Sequence, residues 1–123
     1  MNDQLEVFHL ELSPPNLIVI PQGSSLQFLY NDVQIESNKI LNVLNEPEYQ
    51  NVIIDLSQVH YLDTIIISTL TRLVQQASQT GGQAVFCNAC TNMEDILKRI
   101  KVGSYWPLFE LRDSALAYIN SEC

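Results

Sequence analysis

The chain has 123 residues and a formal charge of −8, with 46% of its residues apolar and only 16% charged. That length and composition suit one packed domain over residues 1–123 and exclude a disordered segment. The acidic balance argues against nucleic acid or anionic membrane as the main partner, because both reward clustered Lys and Arg, and leaves a protein or a small ligand.

The charge is uneven. Met1 to Tyr61 holds eight acids and only Lys39, whereas Leu62 to Cys123 holds six acids and five bases, so the second half is near neutral. The opening "MNDQLEVF" lacks the positive start and apolar stretch of a signal peptide. No run approaches the ~20 apolar residues of a membrane span, so no membrane insertion and a cytoplasmic location are expected. Three cysteines, Cys87, Cys90 and Cys123, are an odd number, which makes a structural disulfide framework improbable without a secretory signal.

In chain order, Leu5 to Leu12 is rich in strand formers and Pro14-Pro15 turns it. "NLIVIP" reads as a second strand buried on both faces. After Gly23, Val33, Ile40, Leu41 and Leu44 fall on one helical stripe that Glu46-Pro47 closes. "NVIIDL" is a β-branched run suited to an interior strand. A helix from about Asp63 to Thr80 follows, with Gly81-Gly82 as its stop.

"QAVFC" is the fourth strand. Thr91 and Glu94 then have the spacing of a capping box. Met93, Ile96, Leu97 and Ile100 follow as an amphipathic face, with Lys98, Arg99 and Lys101 in the last turns and Gly103 beyond. "PLFEL" offers a fifth strand, and Asp113 is the expected cap of a last helix carrying Leu116 and Ile119. The order is ββαβαβαβα, an α/β fold with a mixed sheet of about five strands and about four helices.

The stretch "YLDTIIISTLTRL" carries an unusual run of three isoleucines. At about 100° per residue with Leu70 at the centre of the buried stripe, Ile66, Leu73, Val74 and Ala77 fall close to it and Ile67 on its flank. Ile65 comes out about 140° away, among Ser68, Thr69, Arg72, Gln75, Gln76 and Gln79. Two isoleucines serve the core. The third stands on a polar face at the helix start.

Cys87 and Cys90 form a CxxC between a strand and a capped helix, the context in which a redox pair lowers a thiol pKa. Against that role, Cys87 still belongs to the strand, and no second pair completes a zinc site. Two inert cysteines, one buried, are the plainer expectation. A thiol oxidoreductase is the alternative from a different functional class.

His9 and His60 have no spacing that suggests a metal or a nucleophile's base. Asp55 and Asp63 are better explained by loop hydrogen bonds and capping than as paired carboxylates. The four glycines fit no phosphate-cradling pattern. Lys98, Arg99 and Lys101 offer a small anion- or acidic-partner patch but better suit a helix dipole on a solvated face, and Tyr105 and Trp106 suit a cover for the sheet end, with an exposed Trp106 counting instead as an interface anchor. No catalysis, metal or cofactor is expected.

Over roughly Leu5 to Ile119 the chain resembles STAS domains, the module of bacterial anti-sigma factor antagonists and of sulfate transporter tails. The likeness rests on "NVIIDLSQVHYLDT", on "QTGGQAVFCNA" after the following helix, and on "ILKRIKVGSYWPLFE" and "SALAYI". The family keeps an Asp, two hydroxyl residues, Gly and Leu at the start of its second helix. One of the hydroxyls is the phosphoacceptor of a partner-switching kinase that is also the anti-sigma factor. Here Asp63 matches the Asp and Thr64 the first hydroxyl, while Ile65, Ile66 and Ile67 replace the second hydroxyl, the Gly and the Leu.

The resemblance implies a non-catalytic protein-binding module of transcriptional regulation. Its partner would be an anti-sigma factor of the serine-kinase ATPase type, met through Asp63, Thr64, Ile65, Ser68, Thr69 and Arg72. Thr64 is the remaining phosphoacceptor candidate, because an isoleucine at 65 cannot be phosphorylated. A role as accessory subunit of a lipid-transporting ATP-binding cassette system is the alternative within the binding class. The sequence leaves a homodimer open.

Overall fold

The computed structural model describes residues 7–22, 30–59, 61, 63–99 and 107–121. Leu5, Gly23, His60, Ile100, Lys101, Gly103, Tyr105, Trp106 and Cys123, each given a role or a reading above, lie outside them. The elements run β1 (Phe8–Ser13), β2 (Asn16–Pro21), α1 (Tyr30–Leu44), β3 (Asn51–Asp55), α2 (Thr64–Gln79), β4 (Ala84–Cys87), α3 (Thr91–Arg99), β5 (Leu108–Phe109) and α4 (Arg112–Ser121). The expected ββαβαβαβα order and mixed sheet are what the chain forms.

The five strands lie side by side in sequence order. β1 pairs antiparallel with β2 through the Pro14-Pro15 turn, and β2 to β5 are parallel, as strands joined by helices must be when they enter the sheet from one end. Two-residue alternation sends Leu17, Val19, Val52, Ile54, Ala84 and Phe86 to one face, where α1, α2 and α3 pack with Val33, Ile40, Ile66, Leu70, Leu73, Met93 and Leu97. Ile18, Ile20, Ile53, Val85 and Cys87 point to the other face, where α4 brings Ala115 and Ile119. Burial on both faces is why β2, β3 and β4 read as unbroken apolar runs.

Helix boundaries follow the backbone more than the sequence's cap residues. The Glu94 amide donates to the Cys90 carbonyl at 2.8 Å, so Cys90 holds the cap position and Thr91 is already helical, one residue earlier than the capping box implies. In the same way the Ala115 amide donates to the Leu111 carbonyl at 3.2 Å. Asp113 therefore lies inside the first turn of α4 rather than capping it, and its charge still favours that dipole end.

α2 stops as the glycine pair predicts. Gly81 has φ +90°, its amide donates to Ser78 (3.2 Å), and the Gly82 amide donates back to Ala77 (2.9 Å), the paired pattern of a Schellman motif. Gly82 also passes so close to Gln50 that a Cβ would lie 1.6 Å from its carbonyl oxygen.

Candidate functional site

Parallel strands deliver their loops and the following helix starts to one end of the sheet, and the first turn of α2 stands at that end. Asp63 holds its N-cap position with extended backbone (φ −85°, ψ 173°), and the Ile67 amide donates to its carbonyl at 3.0 Å. The Asp63 side chain makes no capping bond to the helix amides, so backbone geometry rather than a carboxylate cap sets this helix start.

From that start, Thr64, Ile65, Ser68 and Arg72 are exposed along one side of α2. At 1.5 Å per residue the strip from Thr64 to Arg72 is about 12 Å long. Ile65 is 38% exposed, whereas Ile66 is fully buried and Ile67 is half-buried against the core. The three consecutive isoleucines thus divide as their helical angles require. Just ahead of the cap, Tyr61 is 54% exposed, so an aromatic and an aliphatic group bracket Asp63 and Thr64.

Thr69 departs from its expected place on this strip. It is only 2% exposed, and its hydroxyl donates to the Ile65 carbonyl at 3.0 Å. On the same flank of α2, Gln76 donates its amide to Asn45 just beyond the end of α1 (3.1 Å), so α1 lies along that side of α2. A threonine can be buried there because its hydroxyl is satisfied within its own helix. The accessible face is reduced to Thr64, Ile65, Ser68 and Arg72, with Asp63 half-buried beside them.

Asp55, at the end of β3, is a loop organiser. Its Oδ1 accepts from the Ser57 amide (3.0 Å) and from Asn88 Nδ2 (3.1 Å), which ties the loop after β3 to the loop after β4. Asn88 itself has φ +60°, a conformation that Asn tolerates better than most residues. Two loops are thereby fixed at the end of the sheet from which α2 departs.

Cys87, the first thiol of the CxxC, is set against thiolate formation. Burial, and next the negative charge of Asp55, push the Cys87 thiol up to about 12, so it stays protonated. Thiol exchange needs the opposite, a thiolate in an electropositive, accessible position. Cys87 is a core residue between β4 and α4, and Cys90 is half-buried at the α3 cap. Among the described residues no three His, Cys, Asp or Glu side chains gather as metal ligands, and no helix is long and apolar enough to cross a membrane.

Sequence reasoning overlooked two side chains. Tyr61 gave no periodic signal, being a lone aromatic ahead of a helix. Glu36 sits on the apolar stripe of α1, three residues after Val33 and four before Ile40, and that interruption was the available clue. It is buried and accepts from the Val7 amide with both carboxylate oxygens (2.9 and 3.1 Å) and from the Phe8 amide (3.1 Å), fastening the start of β1.

The STAS domain family model matches residues 25–115. The chain is similar in structure to an anti-sigma-factor antagonist (STAS) domain protein from Planctomyces limnophilus, with a TM-score of 0.74 and 17% identity over 92% of this chain and 97% of that one. Against the Bacillus anti-sigma factor antagonist SpoIIAA in its unphosphorylated form the TM-score is 0.76, at 11% identity over 93% and 96%. The STAS domain of a SulP transporter from Vibrio cholerae gives 0.65 at 16% identity over 84% and 79%. These identities carry the fold alone. No curated protein matches.

Proposed function

Since this chain belongs to the STAS domain family, we propose that it acts as a non-catalytic binding module, an anti-sigma factor antagonist by type, whose partner docks on the first turns of α2. The partner is an anti-sigma factor of the serine-kinase ATPase class, and both act in the cytoplasm. The observation that carries this reading is the exposed Ile65, an aliphatic group at the position where the family keeps a modifiable alcohol.

An exposed isoleucine beside Thr64, Ser68 and Arg72 gives a small apolar centre with a polar rim, the layout on which protein contacts depend. A phosphate at a helix start is favoured by free amides and the dipole and adds about −2 in one step, which is how a hydroxyl there works as a switch. With Ile65 that switch is absent at 65 and the contact is constitutive. Thr64, exposed in the first turn, is the acceptor that remains.

The same constitutive contact also suits an accessory subunit of a lipid-transporting ATP-binding cassette system, where no modifiable group is needed. Affinity capture with wild-type and Ile65→Glu protein tests both readings. Wild type should retain either a kinase-type ATPase or transporter subunits, and the charged variant should lose that partner at least about tenfold. Undiminished capture by Ile65→Glu overturns the proposed face.

A further inference from the structure

We propose that the free edge of β1 is a self-pairing surface through which two copies of this chain join antiparallel into one continuous sheet. β1 is an outer strand, with β2 on one side and no strand on the other among the described residues. Register decides which of its backbone groups face outward. The Gln22 amide donates to the Val7 carbonyl, and with Phe8 opposite Pro21 and His9 opposite Ile20, the groups of His9, Glu11 and Ser13 turn toward β2. Those of Phe8, Leu10 and Leu12 turn to the open side. The Phe8 amide is already taken by Glu36. Among the described residues the Phe8 carbonyl and both backbone groups of Leu10 and Leu12 have no hydrogen-bond partner and remain as a template for another strand.

The strand's own sequence, "FHLELS", selects a second copy as the occupant. With a two-fold axis at Leu10, each Leu10 exchanges both backbone bonds with its mate, and each Leu12 amide reaches the other copy's Phe8 carbonyl. The Phe8 amide keeps its Glu36 bond. Side chains match as well as backbone: His9 falls opposite Glu11 of the other copy, at the closer, non-hydrogen-bonded spacing of about 4.5 Å between Cα atoms. Leu12, 50% exposed in one copy, falls opposite Phe8 of the other on the face that carries α1.

Sliding the axis to residue 11 instead sets Glu11 against Glu11. That costs a like-charge pair, so the residue-10 register is favoured over it. The edge bears no lysine and no bulge, two of the usual devices that keep such a strand single. This face is separate from the Ile65 strip and does not depend on what binds there.

Sedimentation of the full chain over a concentration series, up to about 1 mM, is the test, paired with hydrogen exchange of the Leu10 and Leu12 amides. The expected result is a reversible monomer–dimer equilibrium in which both amides gain protection as dimer forms. Each copy carries −8, so raising salt to about 0.5 M should tighten the dimer by screening.

Leu12→Pro removes an outward amide without touching the β1–β2 ladder, and His9→Glu sets acid against acid. Each should weaken the dimer at least about tenfold with the circular dichroism spectrum unchanged. If the proline disturbs the fold, Leu12→Lys serves in its place. A chain that stays monomeric at the highest concentration overturns self-pairing and leaves the edge to a strand from another protein. A dimer whose Leu10 and Leu12 amides exchange freely, or that these variants leave intact, overturns it equally.

Discussion

Arg112, in the first turn of α4, donates Nη1 at 3.0 Å and also Nη2 to the carboxylate of Glu11 on β1, 101 residues away in sequence, and Nη1 lies 3.7 Å from Oδ2 of Asp55. The contact exists because Glu11, Ile18 and Ile53 form one row across the sheet on the face that α4 covers. The last helix thus reaches over two strands to hold the first. The hydrogen bond to Arg112 keeps the Glu11 carboxyl below its ordinary value, and the same bond raises Arg112.

Glu11→Gln tests that link. Glu11 is 40% exposed, so solvent screens the pair and its loss should cost only about 0.5–1 kcal/mol at neutral pH. The unfolded chain, with Glu11 near 4.5, takes up this proton at higher pH than the native chain does. The stabilisation is therefore full above that value and is lost as pH falls through the lower native one. Urea unfolding of dilute wild type and variant should show a gap at pH 7 that closes below about 4.5. A gap independent of pH would refute the ion pair as its source.

The two glycines after α2 should differ for separate reasons. Gly81→Ala meets no atom within 4 Å but must hold φ +90°, a cost of about 1–2 kcal/mol. Gly82→Ala drives a methyl against the Gln50 backbone, which cannot swing aside like a side-chain tip, so about 3 kcal/mol or more is expected. Denaturant midpoints of the two variants give the order directly.

Cys87 should resist modification. Its thiol is held up near 12 and packed between β4 and α4, so a thiol reagent at pH 8 should leave it unlabelled in the native chain and label it once urea unfolds the protein. Peptide mapping reads this residue by residue. Rapid native labelling of Cys87 would revive the redox reading of the CxxC pair.

Most of this architecture was legible because hydrophobic period and β-branched runs are local properties. β2, β3 and β4 announced their burial on two faces, and the 3.6-residue stripe sorted Ile65 from Ile66 and Ile67. What escaped depends on neighbours remote in sequence. Thr69 lies at about 100° from the stripe centre, where a lone helix would expose it, and its burial is set by packing that the helix's own sequence does not carry. Glu36 went unread because its partners, the amides of Val7 and Phe8, are distant in the chain. Thr91 and Asp113 were misplaced by one or two positions because carbonyls of Cys90 and Leu111 accept the first helical bonds, and any residue supplies a carbonyl.

Adjacent isoleucines provide the sharpest separation of folding from recognition. Ile66→Ala empties a fully buried site and should cost about 2–5 kcal/mol by thermal or urea unfolding. Ile65→Glu changes an exposed side chain one residue earlier and should shift stability by no more than about 0.5 kcal/mol. Loss of partner capture by Ile65→Glu can then be assigned to the surface, since the fold beneath it is intact. If Ile65→Glu instead destabilises the chain as Ile66→Ala does, position 65 is part of the core, and the face proposed for the partner has no apolar centre.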